Sequence, residues 1–232
     1  MNLLVRIITA FTAPTAYLLL TAALASLMAY PVFVLTQADD ISFFRSLVSR
    51  GGQAILLIGL YPLSKWMGFS WPILGFSRGF PRQFAIGFSL GILMLGLHVI
   101  GLVILGVRHV EWGKLANEPL LPILTKAALI GVSVAMMEET LFRGALLGIV
   151  RRMSGPILAV FVSAAFYAAL HFIGTYWTTD LALVGWDTGF RISLDGFSHL
   201  VLAPADSLLG LFLAGLTLGT IRAYIPGGLG YC

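Results

Sequence analysis

The chain has 232 residues, of which 59% are hydrophobic and only 10% charged, and its mean hydropathy is +0.96. A soluble domain carries about 25% charged residues, so the composition excludes an ordinary soluble domain and points to an all-α, polytopic membrane bundle, whose helices satisfy their own backbone in lipid. The single cysteine, Cys232, excludes a disulfide framework and a cysteine metal cluster. The net charge of +4 gathers in the connecting segments, where it bears on membrane orientation and not on nucleic acid.

Apolar runs sized for a bilayer core of roughly 30 Å recur along the chain. The first predicted span covers 16–35; although Arg6 precedes it, the run is too long for a signal peptide and lacks a small-residue cleavage site. A short second span covers 53–67, and the Gly/Pro/Arg-rich connector FSRGFPRQF leads into a third at 84–107. A polar link with Arg108, Glu111, Lys114 and Glu118 precedes a fourth span, 122–152. Pro156 suits the first turn of a fifth span ending near Trp177. The polar and aromatic stretch 178–203 reads as an interfacial loop or re-entrant piece, with Tyr176, Trp177 and Trp186 in an aromatic belt. A sixth span covers 204–225, and IPGGLGYC reads as a turn into a further, truncated helix.

The expected organisation is thus one membrane domain, 1–232, with N-terminal helices over 1–120 and a motif-bearing part over 121–232. Counting Arg6, Lys65, Arg78, Arg82, Arg151, Arg152 and Arg222 against Arg45, Arg50, Arg108, Lys114, Lys126 and Arg191 tips the N-terminus to the cytoplasm. Small size and an apolar first span suggest a bacterial inner membrane.

The informative stretch is MMEETLFRG, residues 136–144, which sets Glu138, Glu139 and Arg143 in an apolar run. A charge at mid-membrane costs on the order of 2.5 to 3.5 kcal/mol, so an intramembrane ionisable cluster reads as functional by default. Glu139 and Arg143, four apart, can form an ion pair on one helix face. Glu138 points about 100° away and remains available for chemistry. The next helix carries SAAFYAALHF, with His171 among small and aromatic residues. Counted from the turn at 153–155, Glu139 and His171 lie roughly 18 to 22 Å from the same membrane face, so antiparallel helices bring them to a common depth. Such a pair can activate water, either with a carboxylate as general base or as ligands of a zinc ion that lowers the water's pKa. The plainer alternative is a structural polar network that fixes helix register.

Glu138, Glu139 and Arg143, followed on the next helix by Tyr167 and His171, resemble the CAAX-protease and bacteriocin-processing family of intramembrane proteases, called CPBP or Abi. The resemblance covers roughly residues 121–232, and FLAGLTLGTIRAYIPGGLGYC is similar to that family's penultimate helix. It implies hydrolysis of a peptide bond in a protein or peptide substrate at the membrane. Catalytic roles fall on Glu138, Glu139, Arg143 and His171: Glu138 positions or deprotonates water, His171 holds a metal or stabilises the oxyanion, and Glu139 with Arg143 orients the site. Zinc, if used, would take Glu138 and His171 as ligands. The family usually has Phe where Tyr167 stands, which adds a hydroxyl or exchanges one aromatic wall for another. Its last motif, a second His followed by Asn, is expected on a helix beyond Gly230.

Two readings compete with the protease. One is a non-catalytic membrane protein whose cluster binds a partner or gives immunity to a secreted peptide; the other is a proton-relaying transporter, which predicts internal symmetry and broken helices. Among the other ionisable groups, His98 reads as a hydrogen-bonded core residue, His109 as interfacial, and Asp206 as a helix-entry residue. His199 could replace the missing histidine but has a loop-like setting. Gly210, Gly215 and Gly219 read as packing positions.

Overall fold

A computed structural model describes residues 2–66, 68, 79–109, 111, 113, 119–174 and 176–225. Expectations that rest on Arg78, Lys114, Glu118 or the turn after Ile225 lie outside those residues. Every regular element described is helical: α1 (Leu3–Thr36), α2 (Ile41–Trp66), α3 (Phe80–Ile104), α4 (Leu120–Glu138), a π-helical segment (Glu139–Leu146), α5 (Leu147–Ser154), α6 (Pro156–Leu170), a 3-10 turn (Leu181–Leu183), α7 (Thr188–Val201) and α8 (Ala205–Tyr224).

The chain is an integral membrane protein. Four helical runs in the described residues are long and apolar enough to cross a membrane: Leu3–Thr36, Phe80–Ile104, Leu120–Ser154 and Ala205–Tyr224. The six expected spans are therefore not all met. In α2 the uncharged stretch between Arg50 and Lys65 is too short to cross alone. The expected fifth span ends early, because α6 has 15 residues and stops at Leu170. The predicted loop at 178–203 instead contains α7, a helix of 14 residues.

Close packing here comes from small residues, which let helices approach where lipid offers no hydrophobic drive to associate. α8 crosses α6 at Gly215, where an added methyl would sit 2.9 Å from the Ala164 Cα, and at Gly219, which faces Val160. Gly210 faces open space, so its expected packing role does not materialise. Substituting Gly215→Val is expected to force the two helices apart and cost about 1–3 kcal/mol, read as a lowered unfolding midpoint in detergent; Gly210→Ala serves as the silent control.

A second crossing joins α1 to α7. The Ser26 hydroxyl is fully buried, donates to the Gly189 carbonyl at 3.0 Å and lies 2.8 Å from the Ser193 hydroxyl. Gly189 is required there, since a side chain would collide with the Ser26 backbone. Two apolar clusters follow from these crossings. Phe142, Leu146, Leu147 and Val150 pack with Ala159, Val160 and Val162 in one; Ala29, Phe33, Phe44, Val48 and Ile192 make the other. At one end of the bundle Arg151 donates to the Ala223 carbonyl at 3.0 Å, and Ser154 donates to the Arg6 carbonyl at 3.4 Å. The start of α1, the α5–α6 turn and the end of α8 therefore meet there.

Candidate active site

The double-carboxylate motif straddles a change of helical register. α4 ends at Glu138 and contributes no buried residue, whereas the π segment that follows buries Phe142, Arg143, Gly144, Ala145 and Leu146 in succession. The wider π turn rotates the chain so that this stretch faces the bundle. Tertiary contacts hold it there. The Leu147 N–H reaches back to the Phe142 carbonyl, in the π register, and the Ser163 hydroxyl on α6 donates to the same oxygen at 2.9 Å. Thr140 donates to the Met136 carbonyl at 2.7 Å.

Arg143 is only 1% exposed, and its Nη1 lies 3.4 Å from Glu139 Oε1. Its guanidinium also sits 4.2 Å from the Tyr167 ring centre and 5.8 Å from that of Phe142. Charge and ring faces thus accommodate a cation in a place where an isolated one would be costly. Tyr167 in turn meets Phe142 edge-on and the His171 ring edge-on, with ring centres 4.4 Å apart in the second pair. The chain from Glu139 through Arg143 and Tyr167 therefore ends on the imidazole.

His171 caps α6 one residue after its last turn. Its Nδ1 lies 2.7 Å from the Tyr167 carbonyl oxygen, which can only accept, so Nδ1 carries the hydrogen. In the neutral ring, Nε2 then presents a lone pair. Nε2 is 3.7 Å from Glu138 Oε1, and the two side chains remain 30% and 23% exposed respectively. That separation is too long for a direct hydrogen bond and leaves room for a bridging water.

Both groups face a cavity of about 250 Å³. One wall carries Glu138, Leu141 and Phe142; the α6 end contributes His171, α7 contributes Ser193 and Gly196, and α1 and α2 close the remainder. The turn after His171 can approach α7 because position 196 is glycine, where any side chain would strike the Gly174 carbonyl. Spacing within the two motif helices says nothing of the α1 and α2 walls. The one sequence signal for them is a polar residue, Gln53, inside the short apolar second segment.

The other candidates fall elsewhere. His98 is exposed on α3, which buries none of its residues, so it is not the core histidine expected. His109 is exposed, and Asp206 stands exposed in the first turn of α8, as a helix-entry residue would. His199 lies on helical α7 and not in a loop, with Nδ1 2.9 Å from the Asp195 carbonyl oxygen and its ring against Tyr176. Trp177 is tied by its backbone N–H to the Asp195 carboxylate, and Trp186 packs on Tyr30.

A catalytic zinc takes three protein ligands and a water. Glu138 and His171 supply two suitable donors, but no group of three His, Cys, Asp or Glu side chains forms among the described residues.

Residues 120–231 match the Rce1-like family model, described as type II CAAX prenyl endopeptidase Rce1-like. No curated protein and no solved structure matches the chain.

Proposed function

Because residues 120–231 belong to the Rce1-like family of CAAX-type endopeptidases, we propose that the chain hydrolyses a peptide bond of a protein or peptide substrate at the membrane, with a water activated between Glu138 and His171. The observation that carries this reading is the 3.7 Å approach of Glu138 Oε1 to His171 Nε2, with both residues lining one cavity. A water between them can donate one hydrogen to each acceptor, which leaves its own lone pair free for the scissile carbonyl carbon.

As the carbon–oxygen bond forms, Glu138 takes the water's proton and the carbonyl oxygen becomes an alkoxide. The tetrahedral intermediate collapses with cleavage of the carbon–nitrogen bond, and Glu138 returns the proton to the departing amine. His171 orients the water in this sequence. Glu139 and Arg143 do not touch the reacting atoms; they hold Tyr167, and Tyr167 holds the imidazole.

In this account Tyr167 works through its ring. Tyr167→Phe should keep activity within about threefold, because both a cation and an edge-on imidazole require only the aromatic face. Tyr167→Ala should lose most of it. Initial rates on a fluorescence-quenched apolar peptide set in proteoliposomes separate the two, and a large loss in the Phe variant would transfer the role to the hydroxyl. The hydrolytic reading itself is tested by His171→Ala in the same assay: cleavage unchanged from the parent protein would sink it.

A further inference from the structure

The cavity extends well beyond the family-matched part of the chain. Its α1 and α2 walls are built from Leu18, Thr21, Leu56 and Leu57 together with Ser49 and Gln53, all before residue 120. Most serines and threonines in the helices of this chain donate to the carbonyl about one turn back, as Thr9, Thr12, Ser89, Ser133 and Thr217 do. Ser49 does not, and neither its hydroxyl nor the Gln53 side-chain amide has a hydrogen-bond partner among the described residues. The two are four residues apart on α2, so they share one face, and both line the cavity. Gln53 is exposed and Ser49 half-buried, so both groups are accessible and their hydrogen-bonding capacity is left for a ligand.

We propose that Gln53, with Ser49 one turn before it, holds the main chain of the substrate, an extended peptide segment with apolar side chains. A primary amide offers one acceptor and two donors, which match the N–H and C=O of a peptide unit, and the Ser49 hydroxyl can serve the adjacent carbonyl. The surrounding leucines receive apolar side chains and reject charged ones. The ligand's identity as a peptide rests on the proteolytic reading above. Gln53 and Ser49 act as positioning residues, remote in sequence from the groups that attack the bond.

The test uses the full chain in nanodiscs on a Glu138→Gln background, so that the probe is not consumed. Fluorescein-labelled decapeptides with Leu, Ile, Val or Phe at the centre are titrated by anisotropy, and the tightest binder is compared with its depsipeptide, in which one central amide is an ester. Adding Gln53→Leu should weaken binding of the peptide about tenfold, and Ser49→Ala should weaken it less. The ester should cost affinity on the Gln53 protein and nothing further on the Gln53→Leu protein. Unfolding midpoints of the variants verify the fold, and Gln53→Met replaces Gln53→Leu if the latter is unstable. Failure of every peptide to bind, affinity unchanged by both substitutions, or an ester penalty that persists without Gln53 would each overturn the assignment. Gln53-dependent binding without cleavage by the parent protein would sink the hydrolytic reading and leave this one standing. Glu138-dependent cleavage with no Gln53 effect on binding would do the reverse.

Discussion

Glu138→Gln is expected to reduce peptide hydrolysis by about 10²–10⁴-fold, the usual contribution of a positioned general base, while the unfolding midpoint stays near that of the parent protein. Glutamine preserves the shape of the side chain but cannot accept the water's proton. Stability should be little affected, because Glu138 is 23% exposed to the cavity and its described neighbour, His171 Nε2, lies beyond direct hydrogen-bond reach. Single-turnover rates in proteoliposomes, measured beside thermal unfolding, check both halves of this expectation. A variant with full activity would remove Glu138 from the chemistry; a variant that unfolds would make its role structural.

The second large effect concerns stability. Arg143→Met takes the cation away from Glu139, whose side chain is only 13% exposed. Breaking a buried pair from one side costs about 3–5 kcal/mol, whereas replacing both partners with uncharged groups is far cheaper. The single variant should therefore unfold much more readily than Arg143→Met combined with Glu139→Gln. Denaturant titration of the four proteins of this double-mutant cycle measures the coupling directly. Activity should fall in both variants, since each leaves Tyr167 without the cation that lies 4.2 Å from its ring centre. Equal stability of the single and double variants would mean that Arg143 is held by something other than Glu139.

These effects show which parts of the site could be read from the sequence. Charges inside an apolar run stand out because lipid makes them expensive, and a hairpin fixes the relative depth of residues on its two arms, so Glu138 and His171 could be paired by counting. The register shift after Glu138 could not be found that way. A π turn depends on partners such as the Ser163 hydroxyl on another helix, which no local pattern reveals. Hydropathy also continues past Leu170 to Trp177, so it does not show that the helix stops at His171 or that the Tyr167 carbonyl fixes the imidazole tautomer. α7 was hidden for the opposite reason. Its Arg191, Asp195 and His199 lower its hydropathy to that of a loop, yet Thr188, Gly189, Ile192 and Gly196 are buried at three- and four-residue spacing, the pattern of a helix against a core. The cavity walls from α1 and α2 depend on tertiary packing alone.

If water held by Glu138 and His171 cuts the peptide bond, the oxygen of that water must appear in a product, where it can be followed. The parent protein, reconstituted in liposomes, is incubated with the apolar peptide set in ¹⁸O-enriched water, and the fragments are weighed by mass spectrometry. Fragments should carry ¹⁸O in the new carboxyl terminus, at rates that collapse in both Glu138→Gln and His171→Ala. Undiminished fragments from either variant would contradict this chemistry.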